Sequence, residues 1–315
     1  MRPACSKVTS TNQKVSFVKG DNKIDVLFDG KLFTSYRYAN DLTKPILYPV
    51  YAPSGIMVNR AYPFAEVPGE SKDHPHHTGI FFTYDEVNSD GFWNNVTSPP
   101  QIKHINVTEM KACSGRGKLS TIMHWVGKNG QTLLEEKRTM TFIPGKDQYA
   151  IDFSIDLTAK DTKVVFGDTK EGMFAIRVAP FLCESTGSDW VKDVTGTAEY
   201  LSSNGDRTEK NVWAKRAKWV RLEGQKDSKT VGIAIFNHPK STNYPTYWHA
   251  RGYGLFAANP LGQYVFETAT GNKDAKPLNL TLQPGQSAHF AFRMLIYDGK
   301  RTPEQLEKIF DDYAK

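Results

Sequence analysis

The chain has 315 residues, of which 39% are hydrophobic and 23% charged. This balance predicts a globular protein and excludes both a disordered chain and a protein built from apolar membrane spans, so no transmembrane segment is expected. The 40 Lys and Arg against 34 Asp and Glu give a net charge of +6. These basic residues are spread along the chain, so nucleic acid is not expected as a partner.

The first residues predict a disordered tail over 1–13, followed by one β-sandwich domain over 14–315. Cys5 lies in the stretch Pro-Ala-Cys-Ser, which resembles the stub of a trimmed lipoprotein signal, although an ordinary tail fits as well. We therefore expect an exported protein, either periplasmic or held at the cell surface as a lipoprotein. Whether Cys5 carries a lipid is left open by the sequence.

A β-hairpin opens the domain. Residues 23–28 and 31–38 are strand-like runs joined by Asp29-Gly30, a two-residue turn that favours a hairpin. Further strands are expected at 46–51, 78–84, 105–112, 118–126, 132–143, 149–157, 163–166, 173–179, 217–222, 231–236, 263–267, 278–282 and 289–296. The three runs between 118 and 157 predict a meander.

No long amphipathic helix interrupts these strands, so the sequence predicts an all-β fold, a large antiparallel β-sandwich. One short helix is expected at the C-terminus, where Thr302, Pro303 and Gln305 supply an N-cap, a first-turn proline and a capping box. Residues 65–77 and 183–214 are predicted as long loops, which often form the walls of a functional site.

The most concentrated polar signal is the run Asp-His-Pro-His-His over 73–77. In an extended segment His74 and His76 would face one side and His77 the other, so two imidazoles could meet a ligand or a metal while the third braces the loop. The alternative is a loop held together by imidazole hydrogen bonds to backbone carbonyls. We refer to residues 73–77 as the histidine loop.

A second polar cluster is the charged turn at residues 167–172. Asp168 and Glu171 could act as base and acid, with Lys170 favouring their ionised forms. The alternative is a solvated hairpin tip that carries an ion pair.

A third cluster, between residues 236 and 260, alternates aromatic rings with polar donors. Rings that stack on sugar faces, with Arg and His aimed at hydroxyls, are typical of sites for polyhydroxylated ligands. For any single ring, a place in the core is the alternative. The residues selected here are His238, Tyr247, Trp248, His249, Arg251 and Asn259.

Several motifs together resemble a known family. They are residues 44–55, 73–79, 90–93, 166–172, 176–178, 237–239, 245–249 and 253–260. In this order they resemble a bacterial family of unknown function that carries the label "methane oxygenase PmoA-like", over residues 20–300. The resemblance implies an exported protein of Bacteroidetes or Planctomycetes, encoded beside sugar oxidoreductases and glycan-degrading enzymes.

The label is not taken as an activity, because a membrane methane oxygenase subunit needs several apolar spans. This chain departs from the family at Thr78, where the family has Arg. In length and strand content the chain also resembles the galactose-mutarotase-like supersandwich, which is a resemblance of fold.

The leading functional hypothesis is an enzyme that acts on a sugar or oxidised glycoside by His/carboxylate acid–base chemistry, through hydrolysis, elimination or epimerisation. The predicted catalytic residues are His74, His76, His77, Asp168, Lys170, Glu171 and His249. The predicted ligand-binding residues are Arg60, Trp93, Arg177, His238, Tyr247, Trp248, Arg251 and Asn259.

Two alternatives use the same residues. One is a non-catalytic glycan-binding protein, and the other is a metal-dependent hydrolase or oxygenase with His74 and His76 as ligands. No organic cofactor is expected, and a divalent metal belongs only to the second alternative. The expected partner is a small molecule or oligosaccharide, and the oligomeric state does not follow from the sequence.

Overall fold

The structure is a computed structural model that describes residues 13–184 and 196–315. Cys5 and all of the predicted tail except Gln13 lie outside the described residues. The strands are β1 Val15–Gly20, β2 Lys23–Phe28, β3 Lys31–Arg37, β4 Ile46–Val50, β5 Ile80–Tyr84, β6 Gln101–Cys113, β7 Arg116–Val126, β8 Thr132–Ile143, β9 Gln148–Ala159, β10 Val164–Val165, β11 Gly172–Arg177, β12 Glu199–Ser202, β13 Trp219–Lys226, β14 Lys229–Asn237, β15 Tyr247–Ala250, β16 Leu255–Asn259, β17 Thr281–Leu282 and β18 Ser287–Asp298. The α-helices are α1 Thr208–Val212, α2 Gln263–Ala269 and α3 Pro303–Ala314, and a short 3₁₀ helix covers Pro180–Leu182.

Sixteen of these strands form two large antiparallel sheets in the part of the chain that is described, and β10 pairs with β17 in a two-stranded sheet. The first sheet has the order β1-β2-β3-β4-β5-β11-β16-β15, and the second has the order β12-β13-β14-β18-β9-β8-β7-β6. Their inner faces share one hydrophobic core, in which Phe174 of β11 stacks on Phe292 of β18 at 4.7 Å. The predicted all-β antiparallel sandwich is confirmed.

Local sequence signals explain much of this architecture. Along β7 the buried residues Leu119, Met123 and Trp125 alternate with partly exposed neighbours, as expected for a strand that buries one face. In the first hairpin Asp29 has φ 49° and Gly30 has φ 78°, and positive φ at both central residues matches a type I′ turn. The predicted hairpin between residues 23 and 38 is confirmed.

The terminal helix α3 begins with the predicted capping box. The Oγ1 atom of Thr302 accepts from the backbone N–H of Gln305 at 3.3 Å, and the Gln305 side chain accepts from the N–H of Thr302 at 2.9 Å. Leu306 and Phe310 bury their side chains against the outer face of the second sheet. None of the helices in the described ranges is both long and apolar enough to cross a membrane.

Other predictions about local structure were wrong. Residues 263–267, expected as a strand, begin helix α2, and 247–250 and 255–259, read only as a ligand cluster, are strands β15 and β16. The loop predicted over 183–214 contains β12 and α1, while its residues 185–195 lie outside the described part of the chain. The loop predicted over 65–77 has no helix or strand, as expected.

Candidate functional site

A row of four residues crosses the outer face of the first sheet. Phe81 on β5 pairs with Ala175 on β11, Ala175 pairs with Ala257 on β16, and Ala257 pairs with His249 on β15. With neighbouring strands about 4.8 Å apart, the two ends of this row are separated by about 14 Å. The histidine loop packs on Phe81, so two of the clusters identified in the sequence lie at opposite ends of one row.

The histidine loop is built around a column of parallel rings. From the sheet outward, Phe81 stacks on His77 at 5.9 Å, His77 on His74 at 4.9 Å, and His74 on Tyr253 at 5.4 Å. His76 meets His77 edge-on at 4.4 Å. Three imidazoles and one phenol therefore form a single packed group.

This packing corrects the extended conformation expected for the loop. The backbone turns at His74, which has φ 42°, and the N–H of His77 donates to the carbonyl of His74 at 3.0 Å. His74 and His76 therefore do not face one side with His77 on the other. His77 is only 1% exposed, so its ring is part of the packed interior.

Arg60 holds the histidine loop in place. Its guanidinium donates to the carbonyls of Asp73 at 2.7 Å, His74 at 2.9 Å and His77 at 3.1 Å. Such planar, multiple donation suits arginine, and here it satisfies backbone acceptors of a loop that has no regular structure. Both Nη atoms of Arg60 are bound to this loop, so we assign Arg60 to positioning the loop rather than to direct ligand contact.

Arg177 links β11 to the same loop. Its Nη2 donates to both carboxylate oxygens of Asp73 at 2.8 and 3.0 Å, and its Nη1 lies 3.3 Å from Nδ1 of His77. Burial favours a higher pKa for Asp73, but hydrogen bonding from His74 and the charge of Arg177 outweigh it and hold the pKa below its usual range. Asp73 is therefore ionised, and its carboxylate joins the histidine loop to Arg177.

Several ring nitrogens at this end of the row have no partner in the described part of the chain. Because arginine can only donate, Nδ1 of His77 accepts, and the ring hydrogen of this neutral imidazole is assigned to Nε2. Nε2 of His77, Nε2 of His76 and Nε1 of Trp93 are all buried and form no hydrogen bond with any described residue. Burial lowers the pKa of His77 and lowers that of His76 to about 3, so both rings are neutral at pH 7.

Lys44 lies beside these rings. Its Nζ is 5.5 Å from the ring centroid of Phe81, and the residue is 3% exposed. Burial lowers the pKa of Lys44 to about 7, while the charge of Asp85 opposes the shift. Lys44 forms no ion pair with any residue in the described ranges, which is uncommon for a buried lysine.

The opposite end of the row is His249. Its Nδ1 lies 2.7 Å from the carbonyl of Lys170, and this contact assigns the ring hydrogen to Nδ1 and the lone pair to Nε2. Burial lowers the pKa of His249 to about 4, against the opposing charge of Glu171. Nε2 makes no hydrogen bond to the described part of the protein, so it is an uncommitted acceptor.

Tyr253 connects the two ends of the row. Arg177 lies 4.7 Å and Arg251 5.8 Å from its ring centroid. Burial raises the pKa of Tyr253 to about 12, while these two arginines lower it and Glu171 and Asp73 raise it. The ionisation of the Tyr253 phenol is therefore influenced by the histidine loop, Glu171 and Arg251. The structure brings these predicted residues to one face.

Two residues predicted for this site are used to hold it together. The carboxylate of Asp168 accepts from the backbone N–H groups of Tyr264 at 2.8 Å and Val265 at 3.0 Å, at the start of α2. The amide of Asn259 donates to the carbonyls at Thr169 and Lys170. Their polar atoms are engaged within the protein, so the expectation of a catalytic Asp168 and a ligand-binding Asn259 is corrected to a scaffold role.

Three further predicted residues do not join the site. Trp248 is on the inner face of β15, where its Nε1 donates to the Ala217 carbonyl at 3.0 Å, because alternate residues of a strand face opposite sides. Tyr247 donates to Glu267 and is covered by a guanidinium at 4.1 Å from its ring centroid. His238 packs against Tyr313 at 5.0 Å on the side of the second sheet.

The sequence analysis missed three residues that the structure places in this site: Asp73, Tyr253 and Lys44. Asp73 directly precedes His74, and a carboxylate next to a histidine was an available signal. Tyr253 lay in the aromatic run after residue 245. No local signal marks Lys44, because its burial depends on the packing of β5 against the loops.

The metal alternative required a third ligand beside His74 and His76. In the ranges 13–184 and 196–315, no three His, Cys, Asp or Glu side chains are placed to hold one ion. The nearest carboxylate, Asp73, is bound by Arg177. The described residues therefore offer no ligand set for this alternative.

Fold and site together define an all-β sandwich protein with a cluster of neutral histidines on the outer face of one sheet. The chain belongs to the family of unknown function DUF6807, whose model matches residues 23–311. The "PmoA-like" label remains an expectation from the resemblance. No curated protein matches the chain.

Solved structures similar to this chain include carbohydrate-active enzymes. A galactose 1-epimerase from Lactobacillus acidophilus NCFM is 9% identical over 91% of this chain and 100% of its own, with a TM-score of 0.44. The GH36 α-galactosidase AgaB from Geobacillus stearothermophilus is 10% identical over 91% of this chain and 41% of its own, with a TM-score of 0.40. A glycoside hydrolase family 97 enzyme from Pseudoalteromonas sp. strain K8 is 10% identical over 92% of this chain and 34% of its own, with a TM-score of 0.35.

Proposed function

We propose that this protein is a carbohydrate-active enzyme that binds a polyhydroxylated ligand on the outer face of the first sheet and moves protons with His249 and Glu171. The observation that carries the proposal is the state of His249. Its Nδ1 is occupied by the Lys170 carbonyl, and its Nε2 lone pair is uncommitted. A ring oriented in this way is the usual arrangement of a histidine that acts as a general base.

Glu171 is the partner in this chemistry. Its carboxylate is ion-paired with Lys170, and its charge favours the imidazolium that forms when His249 accepts a proton. His249 would take a proton from a sugar hydroxyl or from a carbon beside a carbonyl. The imidazolium of His249 would then deliver this proton to the oxygen whose bond breaks or, in epimerisation, back to the carbon, while the Glu171 carboxylate stabilises its positive charge. The pair can serve hydrolysis, elimination or epimerisation, and the residues do not select among these three.

Ligand recognition would fall to the groups between the two ends of the row. Arg251 is ion-paired with Glu209 at 3.1 Å, and its side chain is 25% exposed. The side chain of His74 is 36% exposed and stacks on Tyr253. Charged donors next to an aromatic face match the polar rim and apolar C–H face of a sugar.

The non-catalytic binding alternative depends on an aromatic platform. Trp93 and Trp248 are both 0% exposed, so neither ring presents an open face on which a sugar could stack. Binding without chemistry also leaves the oriented His249 without a role. We therefore favour the enzyme.

The test measures turnover of a panel of neutral and acidic oligosaccharides, followed by NMR. Substituting His249→Gln or Glu171→Gln should lower the rate by about 10²–10⁴-fold, as expected for loss of a general acid or base. His289→Gln, on the opposite sheet, is the matched control and should keep the rate. Equal rates in all three variants would contradict the proposal, and sugar binding without turnover would favour the binding alternative.

A further inference from the structure

Three donors surround the ring of Phe81, at the end of the row away from His249. The Nζ of Lys44 lies 5.5 Å from the Phe81 centroid, and the rings of Trp93 and His77 lie 5.0 and 5.9 Å from it. Lys44 offers an ammonium, Trp93 an indole N–H and His77 the N–H at Nε2. None of the three is hydrogen-bonded or ion-paired to a described residue.

The acidic groups closest to these donors are committed elsewhere. Asp73 is bound by Arg60 and Arg177. Asp85 accepts from the backbone N–H and side-chain amide of Asn94, both at 3.1 Å. The carboxylates of Asp73 and Asp85 are therefore engaged by other groups, and neither accepts a hydrogen bond from the three donors.

Such an arrangement is unfavourable in the absence of a ligand. Buried N–H groups without acceptors lose their hydrogen bonds to water, and a largely buried lysine without an ion pair among the described residues is also poorly solvated. Trp93 is 0% and His77 1% exposed, so their donors are not satisfied at the protein surface. A ligand with two negatively charged oxygens would satisfy all three donors, since charge-assisted hydrogen bonds are the strong ones.

We propose that Lys44, His77 and Trp93 bind the carboxylate of an acidic sugar, a hexuronic acid or an oligosaccharide that contains one. This inference rests on the proposed function and names the substrate class of the same face. His249 and Glu171 would act on the sugar, while the three donors select its acid group. The specificity lies in the donors because a neutral sugar leaves them unpaired.

The experiment compares glucuronate with its neutral amide, glucuronamide, by calorimetric titration. The native protein should bind glucuronate at least about tenfold more tightly, because hydrogen bonds to charged groups are stronger than neutral ones. Lys44→Met should reduce this ratio to near one, and Lys137→Met, at an exposed lysine of the second sheet, should leave it unchanged. Inorganic phosphate is titrated as a third ligand. Tighter binding of phosphate than of glucuronate would overturn the assignment of the site to a carboxylate.

Two further readouts separate ligand binding from folding. The indole N–H resonance of Trp93, assigned by its loss in Trp93→Phe, should shift with glucuronate and not with glucuronamide. Lys44→Met should keep or raise the melting temperature, because it removes a buried charge that has no partner.

The possible failures are distinguishable. Equal affinity of the native protein for glucuronate and glucuronamide would overturn this inference and leave the proposed function standing. If neither sugar binds, the proposed function is wrong for these two ligands. A titration with acetate then tests the anion site separately. A Trp93 shift with acetate that is lost in Lys44→Met would support the site, and no shift would overturn it.

Discussion

The two sheets present outer faces that differ in how their polar groups are satisfied. On the second sheet His289 pairs with Asp156 at 2.7 Å, with side chains 37% and 49% exposed, and Arg293 pairs with Asp152 at 2.6 Å. A groove of about 870 Å³, which includes Asp156, crosses this face. On the first sheet His77 and His249 are buried, and several ring nitrogens lack partners among the described residues.

This contrast shows why the size of a groove does not by itself identify a functional site. Charged residues along the groove of the second sheet, such as Lys111 with Glu109, form ion pairs near solvent and need no ligand. Buried nitrogens without partners are costly in a folded protein, and such exceptions call for a specific explanation. We therefore place the site on the outer face of the first sheet, where the unpartnered buried nitrogens lie.

The largest expected effect comes from removing Arg177, which binds Asp73 and His77. Arg177→Met should lower the free energy of unfolding by about 3–5 kcal/mol, because it leaves a partly buried carboxylate without its main counter-charge. Urea denaturation of the native and variant proteins measures this change. A loss below about 1 kcal/mol would show that the histidine loop does not depend on this contact.

A smaller loss is expected for Asp168→Ala, at the turn that joins the site to α2. The variant leaves backbone N–H groups at the start of α2 without an acceptor, which should cost about 1–3 kcal/mol of stability. The rate per folded molecule should stay close to that of the native protein. A large loss of turnover with unchanged stability would instead restore the catalytic role that the sequence predicted.

The buried histidines of the first sheet should also make stability depend on pH. Burial holds the pKa of His76 at about 3 and that of His249 at about 4, below the 6.5 of an unfolded chain. Between pH 6.5 and about 4 the unfolded state binds protons that the folded state does not bind. The free energy of unfolding should therefore fall as the pH falls, by about 1.4 kcal/mol per pH unit for each histidine.

Denaturant unfolding between pH 4.5 and 6.5 measures this slope. His249→Gln should flatten it by about one proton. If this variant keeps the native slope, His249 is not held neutral by burial.

The smallest expected effect is on the outer face of the second sheet. His289→Gln breaks an exposed pair with Asp156 and should change the free energy of unfolding by about 0.5 kcal/mol or less. Sugar binding should be unchanged. A clear loss of sugar binding in this variant would indicate that the site lies on the second sheet and would contradict the difference between the two faces.

The sequence predicted the features that depend on neighbouring residues. The hairpin at Asp29-Gly30, the meander from β7 to β9 and the capping box at Thr302 follow from turn chemistry and residue periodicity. The histidine loop and His249 lie at the two ends of one row on the outer face of the first sheet, whereas His238 packs on the side of the second sheet. Whether these residues act in catalysis stays a prediction.

The features that the sequence did not predict depend on contacts distant in the chain. Helix α2 begins where Asp168, far away in sequence, accepts its first N–H groups, so residues 263–267 were mistaken for a strand. Trp248 and His249 are adjacent in sequence, and only the register of β15 decides which one faces the core. The buried, unpaired state of Lys44 likewise depends on tertiary packing.

The most direct test of the central claim is a crystal structure of the protein grown at a saturating concentration of an acidic sugar. We expect density for the sugar on the outer face of the first sheet, in contact with Tyr253 and within hydrogen-bond distance of Nε2 of His249. Density in the groove of the second sheet beside Asp156, with none at His249, would contradict the account.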